Sequence, residues 1–191
     1  LAIIGALTPE NWEIEIIDEN FDEFDFREAD LVGITSLTSS VYRAYEIAGK
    51  YREKGIKTVI GGIHVSMMPE EAANYCDTVL VGEAEGVWHQ IIRDFENNKL
   101  QKFYKGVHQE LHKSPLPRHD LLHPDYEYAS IQTNRGCPMN CDFCSVHTFN
   151  GQKYRHRPIE DVLNEMEAIP QQKINIIDDD LVGYSKKSME R

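Results

Sequence analysis

Three cysteines lie close together in this chain, and their spacing constrains it more than any other feature. They are Cys137, Cys141 and Cys144, in a C-x3-C-x2-C pattern. Three thiolates on one short loop can bind three irons of a cubane cluster, which leaves the fourth iron without a protein ligand. S-adenosylmethionine (SAM) offers an amine and a carboxylate that can chelate such an open iron. A reduced cluster can pass one electron to its sulfonium and release a 5′-deoxyadenosyl radical, chemistry that no side chain performs unaided.

A structural zinc site is the alternative for these cysteines. Such sites take four nitrogen or sulfur ligands, usually as two close pairs. The fourth ligand would have to be a histidine such as His147 or His156. The remaining cysteine, Cys76, stands alone, and we expect it to be a small buried apolar residue. Four cysteines with three clustered do not form a disulfide framework, so a reducing cytoplasm is the expected compartment.

Composition narrows the classes of partner. The chain has 191 residues, which suits one large or two small domains. Lys and Arg number 20 against 32 Asp and Glu, so the formal net charge is −12. Such a chain has no general attraction for nucleic-acid backbones, and we expect no nucleic-acid partner. No apolar run approaches the length of a membrane span, so no transmembrane segment is predicted.

The first half of the chain alternates strands and helices. We expect strands at 12–18, 31–36, 57–60 and 78–81, and helices at 41–51, 69–75 and 85–98. Ser39 or Ser40 can cap the first of these helices, and Gly55 ends it. Its core-facing stripe is predicted to be Val41, Ala44, Tyr45, Ala48 and Tyr51. Repeated strand–helix units imply an α/β fold with a parallel sheet covered on both faces.

The second half begins differently and then resembles the opening of a barrel. From Phe103 to Tyr128 the chain is proline-containing and has no period, and 113–127 is interpreted as a linker. A strand at 128–133, the cysteine loop, a helix opened by Pro158 and a strand at 173–177 follow. The residues expected to face the core from that helix are Val162, Leu163, Met166 and Ile169. This order matches the start of a β/α barrel.

These patterns predict two domains, both incomplete. An α/β domain spans 1–112 and lacks its first strand, because the chain starts inside an apolar stretch. After the linker, residues 128–191 hold about 60 of the roughly 200 residues that a whole barrel needs. We therefore expect the chain to be a fragment of a longer enzyme.

Three strand-to-helix loops carry candidate ligand-binding residues. They should lie at the carboxyl edge of the sheet, where open α/β folds bind ligands. Small residues there let a flat ligand approach the backbone, although each loop alone is more often a simple turn. The residues are Thr35, Ser36 and Thr38 in the first loop, Gly61, Gly62 and His64 in the second, and Gly82, Glu83 and Glu85 in the third.

Together these motifs resemble those of the cobalamin-binding-domain radical SAM proteins. The cysteine loop is similar through Arg135-Gly136-Cys137-Pro138 and Phe143-Cys144, and the segments 33–36, 61–64 and 81–85 match as a series. The segments 117–122 and 154–158 are most similar to the branch of hopanoid C-2 methylase-like proteins. The resemblance implies a flavodoxin-like cobalamin domain followed by a radical SAM barrel, with a 4Fe-4S cluster, SAM and cobalamin as cofactors.

The resemblance also implies roles for single residues. Phe143 would pack on the adenine of SAM, with simple loop packing as the alternative. Asp178 and Asp179 would contact the SAM amino group, which a carboxylate favours, while Asp180 suits a solvated turn equally well. Arg155 and Arg157 would pair with a carboxylate or a corrin side chain, or else be surface cations.

One departure from related cobalamin enzymes concerns His64. The Asp-x-His-x-x-Gly signature is absent, because Gly62 rather than Asp stands two residues before His64. His64 is therefore a poor candidate for a cobalt ligand.

The implied activity is methyl transfer to an unactivated carbon of a small-molecule or lipid-like substrate, with electrons from an external flavodoxin- or ferredoxin-type donor. A methylthiotransferase is one alternative, although it would carry a second cysteine set in the first domain, where only Cys76 is present. The other is a non-catalytic module that binds a corrinoid or senses redox state. The catalytic residues cannot be assigned.

Overall fold

The computed structural model describes residues 1–182 and divides the chain into two compact units. The first unit contains Leu1, Leu7–Trp12 and Asp22–Val107. The second contains Ala2–Ala6, Glu13–Phe21 and the chain from His108 onward. A short helix α1, Ala2–Leu7, opens the chain. The functional domain boundaries expected at residues 112 and 127 stay a prediction.

The first unit is built on a four-stranded parallel sheet, which confirms the predicted α/β class. Its strands are β1 (Leu31–Thr35), β2 (Lys57–Gly61), β3 (Thr78–Val81) and β4 (Phe103–Lys105), in that spatial order. Ile34 pairs with Ile60 between the first two strands. The central strands β2 and β3 are rich in β-branched residues, and a parallel sheet buried on both faces favours such residues.

Helix α2 (Val41–Glu53) follows β1 and packs as predicted. All five residues of its apolar stripe are buried, and Tyr45 and Ala48 join the main core with Ile60, Cys76 and Val79. The predicted cap is only partly right. Ser40 is at the N-cap position, but its Oγ accepts a hydrogen bond from the Leu37 backbone N–H at 3.2 Å and does not cap the helix.

Three other expectations for the first half were wrong. Residues 12–18 form no strand, because they find no ladder partner among the described residues. The second loop is shorter than expected, because a helix, α3 (Ile63–Met67), begins directly after Gly62; the predicted helix opened by Pro69 is present as α4 (Pro69–Ala72). The stretch after Phe103 begins with β4, which pairs with β3 but is too short for its period to show in sequence. The last helix of this unit is α5 (Trp88–Glu96), inside its predicted range.

The second unit has the expected strand, loop, helix, strand order. Strand β5 (Tyr128–Ile131) pairs in parallel with β8 (Lys173–Ile176). Helix α7 (Ile159–Ala168) connects them and follows Pro158, as predicted. Its residues Val162 and Met166, with Ile169 just beyond its end, pack against Ala129, Ile131 and Ile174.

Two details of the second unit differ from expectation. Leu163 is 52% exposed and does not face the core, because the contact stripe runs through the residues four and seven positions after Val162. Between β5 and α7 the chain also forms a short antiparallel pair, β6 (Asn134–Arg135) with β7 (Arg155–His156), and a helical turn, α6 (Val146–Phe149). Within residues 1–182, no helix is long and apolar enough to cross a membrane.

Candidate functional site

The three clustered cysteines lie on the loop between β6 and α6. All three are free thiols that are partly exposed. The Cys137 N–H donates to the Gly151 carbonyl at 3.2 Å, and the Cys144 N–H closes a turn onto the Cys141 carbonyl at 3.0 Å. The loop thus presents three available thiols.

Cys76 differs from these three cysteines, as expected. It is completely buried in the core of the first unit. Its Sγ lies 3.1 Å from the Thr78 carbonyl and 3.3 Å from that of Ala72, and donates to both. Burial raises the pKa of the Cys76 thiol. The prediction of a small buried apolar residue is confirmed.

The three thiols match in number the protein ligands of a cubane cluster that keeps one iron open, and their role as ligands stays a prediction. Across residues 1–182, no three His, Cys, Asp or Glu side chains converge closely enough to hold one metal ion, and this holds for His147 and His156 as well. A zinc ion needs all its ligands around one point. A cubane takes one thiolate per iron, so its three cysteines approach different atoms.

Gly136 fixes the path of the chain into Cys137. Its φ is +88°, and a Cβ at this position would lie 2.3 Å from the Lys153 carbonyl oxygen. Real Cβ atoms do not approach backbone oxygen so closely, and L-residues rarely adopt this φ. Only glycine therefore lets the loop pass beside the chain that leads into β7.

Asp178 and Asp179, which follow β8, meet the base of the cysteine loop. Asp179 Oδ2 accepts from the Gly136 N–H at 2.9 Å and from Asn150 Nδ2 at 2.8 Å. Asp178 accepts from the backbone N–H groups of Thr133 and Asn134 at 2.6 and 3.1 Å. The predicted contact of either residue with SAM stays a prediction.

Phe143 and Asp180 complete the predicted SAM residues. Phe143 is 93% exposed, so it does not pack against its own loop. The Asp180 carbonyl accepts from Asn134 Nδ2 at 3.0 Å, and its side chain accepts from the Val182 N–H at 3.3 Å. The aromatic ring thus remains accessible beside Cys144.

Arg155 and Arg157 are buried, so their interpretation as surface cations was wrong. Arg155 donates to the carbonyls of Gln109 and Asn150 at 2.8 and 3.0 Å. Arg157 pairs with Glu165, whose other oxygen lies 2.8 Å from His119 Nε2. Sequence reasoning missed this buried group, because nothing local in α7 marks Glu165 as inward-facing.

The carboxyl edge of the first unit's sheet brings the first two strand-to-helix loops together. Gly62, after β2, has φ +109°, and a Cβ there would lie 2.6 Å from the Ser36 carbonyl oxygen and 3.0 Å from Thr35 Oγ1. The Ser36 N–H donates to the Gly61 carbonyl at 3.4 Å. Ser36 is buried, and its Oγ has no hydrogen-bond partner within the described part of the chain.

His64 is held by hydrogen bonds at both ring nitrogens. Nδ1 lies 3.3 Å from Thr38 Oγ1, and Nε2 lies 3.4 Å from Glu71 Oε1. The Tyr45 hydroxyl donates to the same Glu71 oxygen, and burial together with this carboxylate raises the pKa of Tyr45 to about 12. A carboxylate at Nε2 favours the tautomer with the proton there, so Nδ1 accepts from Thr38.

The third loop follows β3. The Gly82 N–H donates to Ser66 Oγ at 2.9 Å, Glu83 is buried and Glu85 is half-buried. A shallow hollow of about 480 Å³ lies instead near the amino ends of β2 and β3. There Asp77 already pairs with Lys57 at 2.9 Å, and ligands of parallel sheets bind at the opposite edge. We therefore assign no ligand to that hollow.

Comparison with known proteins agrees with this geometry. Residues 1–92 match the family model of the B12 binding domain. Bacteriochlorophyllide d C-8(2)-methyltransferase from Chlorobaculum tepidum is 38% identical over 169 residues, which are 81% of this chain and 37% of that protein. The hopanoid C-2 methylase of Rhodopseudomonas palustris is 25% identical over 203 residues, covering 100% of this chain and 38% of that protein.

A solved structure shares the fold. The radical SAM methyltransferase TsrM from Kitasatospora setae, with tryptophan and a SAM analog bound, superposes with a TM-score of 0.76 at 18% identity. The match covers 99% of this chain and 46% of TsrM. The chain thus spans less than half the length of each of these three proteins.

The chain therefore combines a segment that matches the B12 binding domain with a strand, cysteine loop, helix and strand that share the fold of TsrM. The predicted resemblance is confirmed: the chain is similar to the hopanoid C-2 methylase and has the fold of a radical SAM methyltransferase.

Proposed function

We propose that this chain forms the cobalamin-binding domain and the cluster-binding start of the barrel in a radical SAM methyltransferase that methylates an unactivated carbon. The observation that carries the proposal is the set of three free, partly exposed thiols on one loop after β5. In the sequence, that loop follows residues 1–92, which match the B12 binding domain.

The cysteine loop would hold the cluster and leave one iron for SAM. Cys137, Cys141 and Cys144 supply three thiolates, and the exposed ring of Phe143 is available to pack on adenine. When bound, the cluster supplies the electron that cleaves SAM, and the corrinoid supplies the methyl group. The protein's part is to hold both groups and keep one iron position open.

The rim of the first unit supports corrinoid binding without a histidine ligand to cobalt. Gly62 packs closely against Ser36 and Thr35, and the buried Ser36 hydroxyl has a free hydrogen-bonding capacity that a bound ligand could satisfy. Both nitrogens of His64 are engaged with Thr38 and Glu71. The amide side chains of a corrinoid would meet Thr38 and Ser36 at this edge.

Substrate, electron donor and location are parts of the same proposal. The relatives' names specify a bacteriochlorophyllide and a hopanoid, which support a small, largely apolar or lipid-like substrate. The cluster would be reduced by an external donor of the flavodoxin or ferredoxin type. Clustered thiols of this kind suit the reducing cytoplasm.

Anaerobic reconstitution with iron and sulfide, followed by measurement of 5′-deoxyadenosine from SAM and a reductant, tests the proposal. Replacing any one of Cys137, Cys141 and Cys144 with Ala should abolish SAM cleavage, since each thiolate binds its own iron. Cys76→Ala is the matched control and should leave the iron content unchanged. Normal iron content in a variant with all three cysteines replaced would contradict the cluster assignment.

The same assay separates the alternatives. A methylthiotransferase would bind a second cluster, and the only other thiol in the sequence, Cys76, is buried and bonded to backbone carbonyls. Iron well above four per chain would favour that activity. A non-catalytic corrinoid module would take up cobalamin and form no 5′-deoxyadenosine.

A further inference from the structure

The carboxylate of Asp178 is occupied by the chain that leads into Cys137. Asp178 Oδ1 accepts the backbone N–H groups of Thr133 and Asn134. Its Oδ2 accepts from the Thr133 hydroxyl and from Asn134 Nδ2, the latter at 2.6 Å. A carboxylate offers about four acceptor positions, so these four bonds saturate Asp178.

Asp179 joins the two ends of the cysteine loop. Its Oδ2 accepts from the Gly136 N–H, one residue before Cys137, and from Asn150 Nδ2, one residue after α6. The Cys137 N–H donates to the carbonyl of Gly151, so the same two stretches are bonded a second time. One carboxylate at the end of β8 therefore determines where the loop starts and where it returns.

The hydrogen bonds accepted by Asp178 and Asp179 end on ionised carboxylates. Such bonds are roughly twice as strong as hydrogen bonds between neutral groups. Gly136 is buried, so its N–H would lose a partner that water cannot easily replace. The loop itself adds little packing, because α6 buries none of its residues.

We propose that Asp178 and Asp179 are positioning residues that hold the cysteine loop in the shape needed for the cluster, and that Asp178, whose carboxylate is saturated, does not bind the SAM amine. This role rests on the proposed function, because it presumes that the three cysteines bind the cluster. It differs from the role that the resemblance implies for the same two residues.

The bonding of Asp179 allows a sharp test. Both of its donors converge on a single oxygen. An asparagine can place its one acceptor oxygen at that point, whereas an alanine can accept neither bond. The positioning role thus predicts that Asp179→Asn keeps the loop and Asp179→Ala loses it.

The experiment uses the protein reconstituted anaerobically with iron and sulfide. Iron content is measured, together with the EPR spectrum of the reduced cluster before and after SAM is added. We expect Asp179→Ala to lower cluster occupancy about tenfold or more. Asp179→Asn should retain most of the cluster and the change that SAM causes in its spectrum. Asp142→Ala, an exposed acid within the same loop, is the matched control and should behave like the wild type.

A second variant and a second measurement guard against simple misfolding. Asn150→Ala removes one of the two donors and should give an intermediate loss of cluster. In the protein without cluster, amide hydrogen exchange at Gly136 should become faster in Asp179→Ala, while the amides of β5 remain protected. Unchanged exchange at Gly136 would count against the role.

A direct role in SAM binding would give another pattern. Asp179→Ala and Asp179→Asn would then both keep their iron and both lose the SAM-induced spectral change, and this result would overturn the positioning role. Wild-type protein that binds no more iron than the variant lacking all three cysteines would instead overturn the proposed function, and the positioning role with it.

Discussion

Removing the carboxylate of Glu165 should destabilise the second unit by several kcal/mol. Glu165 is 1% exposed in α7 and bonds Arg157 through one oxygen and His119 through the other. The Arg157 side chain is itself only 9% exposed. Removing one partner of a buried pair costs about 3–5 kcal/mol, because an unpaired charge remains. Since whole domains are stable by about 5–15 kcal/mol, Glu165→Ala should remove a large share.

Glu165→Ala should also destabilise the chain that leads into the cysteine loop. Arg157 donates to the Gln132 carbonyl at 3.1 Å, and its backbone N–H donates to the Thr133 carbonyl at 2.9 Å. Urea unfolding followed by amide hydrogen exchange would measure the loss and assign it to this unit. The thermal midpoint of that transition should fall by on the order of 10 °C or more.

The exposed Glu167 on the same helix provides the matched control. Glu167→Ala should change stability by no more than about 0.5 kcal/mol, as is usual for surface positions. Glu165→Ala within about 1 kcal/mol of the wild type would refute the reasoning, because a desolvated, paired carboxylate cannot be that dispensable.

The acid dependence gives a second test of the same group. Burial raises the pKa of Glu165, but the hydrogen bonds from His119 and Arg157 outweigh it, so the pKa lies below its ordinary value. A depressed pKa stabilises the fold at pH values above the unfolded-state pKa, near 4.5, and this stabilisation is lost as the pH falls through the folded-state value. Glu165→Ala should therefore lose less stability than the wild type between neutral pH and pH values below about 4.

Two further predictions concern the rim of the first unit. His64→Ala should not change the nitrogen coupling in the EPR spectrum of bound cob(II)alamin, because both ring nitrogens are already engaged. A histidine coupling that is present in the wild type and absent from the variant would contradict this. Gly62→Ala should weaken corrinoid uptake and destabilise the unit, since its Cβ would meet the Ser36 carbonyl at 2.6 Å and its φ is +109°. Gly49→Ala is the control in α2, where a Cβ meets nothing within 4 Å, and should stabilise the unit by about 0.5–1 kcal/mol. If Gly49→Ala and Gly62→Ala lowered the stability equally, the steric argument would be refuted.

The elements that could be predicted from sequence are those that local periodicity specifies. The stripe of α2 and the bounds of β3 followed from apolar spacing alone. Residues 12–18 have the same kind of alternation but form no strand, because a strand also needs a hydrogen-bonded neighbour. Strand β4 is too short for a period to show and is specified by its pairing with β3. Pairing depends on distant segments, and a local pattern does not contain it.

The cysteine loop shows why residue type alone could not separate ligand-binding residues from supporting ones. The spacing of the thiols predicts a cluster from residues that are close in sequence, and the ligand role of the three cysteines stays a prediction. The acids of 178–180 follow β8, and only the parallel pairing of β5 with β8 brings Asp178 to Thr133 and Asp179 to Gly136, across 45 and 43 residues of sequence. Because α6 buries no residue, the loop cannot take its shape from a hydrophobic core of its own. Polar groups from the neighbouring strand end must then fix it, and carboxylates are the side chains that bind several backbone N–H groups at once.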